Sequence, residues 1–275
     1  MNVKKLTKLF CELAKLETSD CLHAMTKILQ SHDYQIDICP KEHYAICSPP
    51  IPHAVALVAH CDTVCQNQPT KFTNKCGVIS VKGGGILGAD DRAGCTAIAA
   101  SVLAGNRPQV YLLTGEERGG IGADHLAYGT DYSPPDTLHV LLELDRQGSN
   151  DYVTYDCESR PLNKWIERFG WSRAIGSFTD ICTLSAAWEI AGANLSVGYY
   201  DQHTRSEHLI IQQLSHTIAR VGMMLANPPP QRIDYVEAPP IRVSGYGSLN
   251  RTTRKAEWEL TLEEELQLRL DMEKP

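Results

Sequence analysis

The fold is decided by the stretch AVALVAHCD at residues 54–62, together with QVYLLTGEE at 109–117 and HVLLELD at 139–145. Each stretch begins with an apolar run of strand length, and the glycine-rich turn at 83–94 leads into a helix of small residues between the first two. Apolar strands that alternate with helices indicate a mainly parallel sheet covered on both faces. We therefore predict an α/β fold, a three-layer αβα sandwich around a mainly parallel, mixed sheet.

The flanking segments extend this pattern in both directions. Two amphipathic helical patterns lie at about residues 3–31, and the stretch NPPPQ at 227–231 is typical of a boundary. We predict one domain at residues 1–226 and a C-terminal extension at 227–275 that ends in an acidic helix. The other predicted elements are the strands YQIDICP, HYAIC and LSVGYY, helices near LNKWIERF and at DICTLSAAWEIAG, and a last helix from about Glu207 to Leu225.

Composition excludes several classes of protein. The chain is 43% hydrophobic and 21% charged, and its formal net charge of -7 argues against a nucleic-acid partner. No segment approaches the roughly 18 consecutive apolar residues that a membrane span needs, so we expect a soluble protein without a membrane partner. The N-terminus lacks the continuous apolar stretch of a signal peptide, and the ten cysteines form no CxxC pair. These features favour a cytoplasmic protein with reduced thiols.

Polar side chains stand where the predicted strands end. Because the carboxyl ends of parallel strands meet at one edge of a sheet, these side chains should converge on one place. Carboxylates crowded there repel each other unless a cation compensates them. The residues concerned are His60 and Asp62 after the first strand, Asp90 and Asp91 after the glycine-rich turn, Glu116 and Glu117 after the second strand, and Asp145 after the third.

A set of one histidine and several carboxylates suits zinc, and also manganese or cobalt. Adjacent side chains at a strand end point in different directions, so Glu117 can bind metal while Glu116 acts as the general base on a metal-bound water. Asp62 can accept the other imidazole N–H of His60 and fix its tautomer. Taken singly, each motif also fits a surface turn, a solvated loop or a helix cap.

Five motifs together resemble the co-catalytic zinc peptidase superfamily, which includes bacterial aminopeptidases, peptidase T, carboxypeptidase G and glutamyl aminopeptidases. The motifs are AHCDTV, LGADDRAG, TGEERGGIGA, LLELDR and YYDQHTRSEHL, and they match in order and approximate spacing over about residues 50–225. The resemblance implies a fold of the zinc-exopeptidase type and a site with two divalent metal ions, zinc in the first instance and cobalt or manganese as alternatives.

The same resemblance implies a role for each residue. His60 and Asp145 are terminal ligands of one ion, and Asp90 is the bridge because it is the first aspartate of the DDR triplet. Glu117 and His203 are terminal ligands of the other ion, and Glu116 is the catalytic base. The motif QHTRSE selects His203 over His208. Thr179 and Asp180 resemble a Thr-Asp pair near the site of relatives, although a helix cap explains them equally well.

Two inserts known in relatives have no room here. Only 57 residues separate Asp145 from His203, and only 29 separate His60 from Asp90. The resemblance therefore implies a minimal catalytic domain without a lid or dimerisation insert, acting on a peptide or small amide with an accessible end. A homo-oligomer is compatible with this expectation.

The resulting prediction is a zinc-dependent metallopeptidase, an aminopeptidase that cleaves amide bonds through a metal-bridged hydroxide. A carboxypeptidase or a deacylase of N-acyl amino acids is the alternative, since Arg146, Arg160 and Arg205 are candidates for binding a carboxylate. A non-catalytic binding protein with the same fold is the alternative from another class. A phosphatase or nuclease is disfavoured by the net negative charge.

Overall fold

A computed structural model describes residues 1–239, so most of the predicted extension, with its acidic helix, lies outside the described part of the chain. The helices are α1 (Val3–Leu13), α2 (Thr18–Gln30), α3 (Ala89–Leu103), α4 (Ile121–Tyr128), α5 (Arg160–Glu167), α6 (Asp180–Trp188) and α7 (Ile211–Ala226). The strands are β1 (Gln35–Ile38), β2 (Tyr44–Ser48), β3 (Val55–His60), β4 (Phe72–Lys75), β5 (Val78–Val81), β6 (Gln109–Leu113), β7 (Val140–Arg146), β8 (Asp151–Val153), β9 (Ser172–Arg173), β10 (Gly192–Ser196), β11 (Tyr199–Tyr200) and β12 (His208–Ile210).

The larger sheet has eight strands in the order β1-β2-β6-β3-β7-β10-β8-β9. Its centre is parallel, because β3 pairs in parallel with both β6 and β7, and β7 pairs in parallel with β10. The pairs β1-β2, β2-β6 and β10-β8 are antiparallel. The predicted mainly parallel, mixed sheet is confirmed, and the carboxyl ends of β3, β6 and β7 lie side by side.

Helices cover both faces of this sheet, as the apolar strands require. In β3 the side chains alternate, so that Leu57 packs into the core shared with α1, α2, α3 and α7. Val58 packs on the other face, with residues of α4 and α6 such as Leu126 and Leu184. Both faces are buried, which confirms the three-layer αβα prediction and explains why the central strands are apolar at successive positions.

A second sheet of four antiparallel strands, β11-β12-β5-β4, was not predicted. Its strands contain two to four residues, and most of their side chains are only half-buried, so they lack a clear apolar signal. Gly198, with a φ of +97°, separates β10 from β11 within the single strand predicted at LSVGYY. The last helix was predicted to begin near Glu207, but His208–Ile210 pair with β5 and α7 begins at Ile211.

Residues just after α7 hydrogen-bond to the neighbourhood of the large sheet. The Ile233 N–H donates to the His139 carbonyl, and the Ile233 carbonyl accepts from Ala191. The division into a domain at 1–226 and an extension at 227–275 stays a proposal. Among the described residues no helix has the length and apolar character that crossing a membrane requires. All ten cysteines are free thiols.

Gly94 permits the close approach of α3 to β7, which generates a prediction about stability. A Cβ at Gly94 would overlap the Leu144 carbonyl oxygen and the Asp91 carboxylate. Gly94→Ala should therefore lower the free energy of unfolding by about 1–3 kcal/mol, as overpacked cores do. The matched control is Gly222→Ala in α7, where the nearest atom would be Asn106 Nδ2 at 3.8 Å.

The control variant should be neutral or gain up to about 1 kcal/mol, because alanine is the better helix former. Chemical denaturation of both variants measures the difference. Equal stability of the two variants would contradict the close packing of α3 on β7.

Candidate active site

The site lies at the carboxyl edge of the parallel strands. His60 ends β3, Asp145 lies near the end of β7, and a short 3-10 turn at Glu116–Arg118 follows β6. Asp90 stands in the first turn of α3, where the backbone departs from helical geometry at Asp90 and Asp91. The convergence expected from strand-end positions is therefore present in the structure.

The Asp90 carboxylate lies between two imidazoles. Its Oδ1 is 3.2 Å from His60 Nε2, and its Oδ2 is 3.2 Å from His203 Nε2. His60 Nε2 also faces Asp145 Oδ1 at 3.6 Å, and His203 Nε2 faces Glu117 Oε1 at 2.9 Å. The residues thus form two groups, His60 with Asp145 and His203 with Glu117, and Asp90 is shared between them.

Asp91 is placed differently from Asp90. It is fully buried, and its Oδ1 accepts the Gly94 N–H at 2.7 Å, as a helix-capping carboxylate does. Ligand atoms of Asp91, His60 and Asp145 still lie within 4.8 Å of one another. Asp90, however, is the aspartate of the triplet that contacts both histidines, so the geometry favours it as the shared residue.

Glu116 lies at the edge of this group, with its Oε2 4.0 Å from His60 Nε2. Burial, together with the neighbouring carboxylates of Asp90 and Glu117, raises the pKa of Glu116 to about 7 although His60 lowers it. A carboxyl group with a pKa near neutral is suited to both accepting and donating a proton. Its side chain is 15% exposed, so a small molecule can reach it.

Asp62 contacts both His60 and the glutamate turn. Its Oδ1 lies 3.3 Å from His60 Nδ1, and its carboxylate accepts the backbone N–H groups of Glu116 at 3.3 Å and Glu117 at 3.2 Å. Burial alone would raise the pKa of Asp62, but its hydrogen bonds to His60 and the backbone lower it to about 2. Asp62 is therefore an anion that orients His60 and also fixes the turn carrying both glutamates.

Three side chains that support Asp145 carried little signal in the sequence. The Thr179 hydroxyl donates to Asp145 Oδ2 at 3.1 Å, and the Tyr199 hydroxyl donates to Oδ1 at 3.2 Å. Asn194 Oδ1 accepts the Asp145 N–H at 2.9 Å. Thr179 belongs to the Thr-Asp pair that resembles one near the site of relatives, and Tyr199 belongs to the motif YYDQHTRSEHL. Nothing in the sequence around Asn194 distinguishes it from other strand residues. Together these contacts fix both carboxylate oxygens of Asp145.

Glu207 holds the backbone that presents Asp90. Its Oε2 accepts the N–H groups of Leu87 at 2.8 Å and Gly88 at 3.0 Å, and its Oε1 accepts those of Ala89 at 2.7 Å and Asp90 at 3.2 Å. Glu207 follows His203 by four residues, so one buried carboxylate ties the loop of the second histidine to the loop of the shared aspartate. The sequence motif included Glu207 but did not reveal this contact.

The donor set fits divalent metal ions. Buried carboxylate oxygens of Asp91, Glu143 and Asp180 have no hydrogen-bond partner within residues 1–239. Burial raises the pKa of Asp145, Glu143 and Asp180, because each carboxylate is disfavoured as an isolated anion. Cations would offset this excess of negative charge, and imidazole with carboxylate ligands is a combination that zinc accepts.

The fold has the architecture of the co-catalytic zinc peptidases. The model of Peptidase family M28 matches residues 45–174, a range that contains His60, Asp90, Glu116, Glu117 and Asp145 but not His203. This match and the fold confirm the resemblance to that superfamily, and the chain is a hydrolase of the metallopeptidase class. No curated protein sequence matches the chain.

Solved structures of low sequence identity share the fold. Aminopeptidase PepT from Bacillus cereus ATCC 10987 has a TM-score of 0.68 at 15% identity, and the alignment covers 82% of this chain and 98% of that one. A tripeptidase from Staphylococcus aureus has a TM-score of 0.66 at 16% identity, with 82% and 98% covered. The TET1 peptidase of Pyrococcus horikoshii has a TM-score of 0.59 at 13% identity, with 82% and 99% covered.

The contacts of Glu207 generate a prediction about metal retention. In Glu207→Gln one amide nitrogen replaces a carboxylate oxygen, so two of the four backbone N–H groups face a donor instead of an acceptor. The Asp90 loop should shift, and metal affinity should fall by about 10–100-fold, as for other residues that orient ligands. Competition with a chelator measures this affinity.

The control for this experiment is Glu158→Gln, which changes an exposed glutamate. It should bind metal as the unmodified protein does. Unchanged metal affinity in Glu207→Gln, with the fold intact by circular dichroism, would show that the Asp90 loop does not depend on the carboxylate.

Proposed function

We propose that the chain is a dinuclear metal-dependent exopeptidase, and specifically an aminopeptidase that hydrolyses the first peptide bond of its substrate. The observation that carries the proposal is the position of the Asp90 carboxylate between His60 and His203. Each imidazole also faces a carboxylate of its own, which is the arrangement that two ions with one shared ligand require.

The proposal gives each residue a role. His60 and Asp145 would hold one ion, His203 and Glu117 the other, and Asp90 both. When bound, two divalent cations, zinc in the first instance and cobalt or manganese as alternatives, polarise the substrate carbonyl and lower the pKa of water. Thr179 and Tyr199 keep the Asp145 oxygens in place, so the protein supplies a prearranged set of ligands.

Glu116 is the proposed general base. It takes a proton from the attacking water at its carboxylate and delivers the proton to the nitrogen of the leaving amine. Burial of Glu116 makes its carboxylate more basic, which favours the first transfer. Asp62 holds the Glu116 backbone at a fixed distance from His60, so the base and the ligand keep their relative positions.

Charge at the site supports an aminopeptidase over a carboxypeptidase or deacylase. Carboxylates outnumber cationic side chains around the site, and the partly exposed Glu116 and Glu117 are among them, which favours a cationic substrate group such as a free N-terminal ammonium. Arg146 forms an ion pair with Asp151 at 2.8 Å, so its guanidinium is already compensated. Arg160 lines a surface groove with Trp165 and other residues outside the site.

Arg205 is the remaining candidate for binding a substrate carboxylate. It is exposed and lies two residues after His203 in the same loop. The carboxypeptidase and deacylase alternatives therefore depend on Arg205, and substrate comparison distinguishes them from the aminopeptidase.

Assembly into a homo-oligomer is also a proposal. The TET1 peptidase of Pyrococcus horikoshii can assemble into a tetrahedron or a large octahedral shell, and this chain shares its fold at 13% identity. Measurement of the molar mass in solution addresses this question directly.

Substitution of the proposed base tests the mechanism. Glu116→Gln should lower kcat by about 10²–10⁴-fold, because the amide cannot accept the proton of water. Metal content and KM should stay unchanged, since Glu116 is not assigned as a ligand. Glu117→Gln is the contrasting variant and should reduce metal content as well as turnover. Full turnover in Glu116→Gln with metal bound would refute the role of Glu116.

A substrate comparison tests the direction of cleavage. After treatment with a chelator, the protein should regain activity on dipeptides and aminoacyl amides when zinc, cobalt or manganese is added. The same peptides with an acetylated N-terminus should be poor substrates, because they lack the ammonium that the carboxylates attract. Faster release of amino acids from N-acyl amino acids would favour the deacylase, and Arg205→Ala should then raise KM.

A further inference from the structure

Three buried cysteines from separate elements meet next to the backbone of His60. Cys21 belongs to α2, Cys61 follows β3 directly, and Cys95 belongs to α3. All three are 0% exposed, and their Sγ atoms lie within 4.8 Å of one another. The Cys61 and Cys95 sulfurs are 3.8 Å apart, and the Cys95 thiol donates to the His60 carbonyl at 3.3 Å.

A buried cation lies beside this cluster. The Arg92 guanidinium is 0% exposed, and its Nη2 donates to the Leu16 carbonyl at 2.7 Å. Its Nε and Nη1 have no hydrogen-bond partner among the residues that the structure describes. A charge buried without a counter-ion is strongly unfavourable, so an anion is needed nearby. The neighbouring Cys61 and Cys95 thiols, and then Arg92, lower the pKa of the Cys21 thiol, so Cys21 is the sulfur best suited to a thiolate.

We propose that Cys21, Cys61 and Cys95 form a separate binding site for a thiophilic divalent cation, zinc in the first instance. Sulfur is the ligand that such cations select, and the catalytic candidates contain none. Zinc–sulfur bonds of about 2.3 Å at tetrahedral angles place two sulfurs about 3.8 Å apart. The Cys61–Cys95 separation matches this value.

Arg92 makes the metal-bound cluster neutral in charge. Three thiolates, one divalent cation and the Arg92 guanidinium carry no net charge together. The cation forms bonds to the three sulfurs, and the protons that the thiols carried leave to solvent. The ion would therefore bring no uncompensated charge into the core, and the desolvation cost that opposes buried charges is reduced.

The site would have a structural rather than a catalytic effect. It joins α2, the end of β3 and α3, which are the elements beside His60 and Asp90. Binding to the folded chain alone would raise its stability by mass action. Three packed thiols without an ion would have the same sulfur–sulfur distances. The metal-bound and metal-free states are therefore distinguished by direct detection of sulfur–metal bonds.

The experiment uses the full chain saturated with Co²⁺ after removal of other metals. Thiolate ligands give a near-ultraviolet sulfur-to-cobalt charge-transfer band that imidazole and carboxylate ligands do not give. The expected result is this band together with one cobalt ion per chain, by mass spectrometry, beyond those that the proposed catalytic centre holds. Absence of the charge-transfer band would overturn the proposal.

Cysteine-to-serine variants identify the thiols that give the charge-transfer band. Cys21→Ser should abolish it and reduce the cobalt content by one ion per chain, whereas the matched control Cys47→Ser, at another fully buried cysteine, should retain both. Cys65→Ser and Cys76→Ser should also retain the band, which excludes these two more accessible thiols as its source. Persistence of the band in Cys21→Ser would refute the assignment.

The test does not depend on the folding of one variant. If Cys21→Ser does not fold, the measurement on the unmodified chain still decides, since it needs no variant. Glu117→Gln should lose cobalt from the proposed catalytic centre while the charge-transfer band remains. The thiolate site and the proposed peptidase centre can therefore fail independently.

Discussion

The carboxylate of Glu207 accepts four consecutive backbone N–H groups, and the arrangement of the candidate metal centre depends on that contact. The backbone in the first turn of α3 has non-helical geometry at Asp90 and Asp91, so helical hydrogen bonding alone does not fix it. Glu207 supplies the missing acceptors and connects this backbone to the loop that carries His203. Through Glu207, two loops far apart in the sequence present their side chains to the same point.

Charge compensation is the second constraint on this molecule. The protein buries Asp90, Asp145, Glu143 and Asp180 in one region, where the buried imidazole of His60 faces Asp145 and the half-exposed imidazole of His203 faces Asp90. Carboxylates placed in this way destabilise a folded chain unless cations or donors satisfy them. Hydrogen-bond donors from Thr179 and Tyr199 stabilise Asp145, and burial raises the pKa of Glu143 and Asp180. Cations at the candidate metal centre would compensate the charge that remains. The same balance that would serve catalysis therefore also bears on folding.

The central strands could be predicted from the sequence because each has an apolar run buried on both faces. Because their motifs follow predicted strands, His60, Asp90, Glu116 and Asp145 could be predicted to lie together at the carboxyl edge of the sheet. The structure has them there. His203 came from a motif alone, since it lies three residues beyond the predicted strand LSVGYY and not at its end. The second sheet was missed because its pairing joins distant residues such as Ile79 and Leu209, and short half-buried strands carry no local signal. The contact of Asn194 with Asp145 spans 49 positions, which no spacing pattern reveals.

The ADDRAG motif shows how one short sequence serves several parts of the fold. Asp90 faces the two histidines, while Asp91 is turned back to cap the following turn at Gly94. Arg92 is directed to the opposite side, where its guanidinium reaches the Leu16 carbonyl between α1 and α2. Gly94 leaves room for the β7 backbone, so α3 can pack against the strand that carries Asp145. Since these four residues occupy five consecutive positions, a shift of the helix start by one residue would disturb the site, the cap and the attachment of the N-terminal helices together.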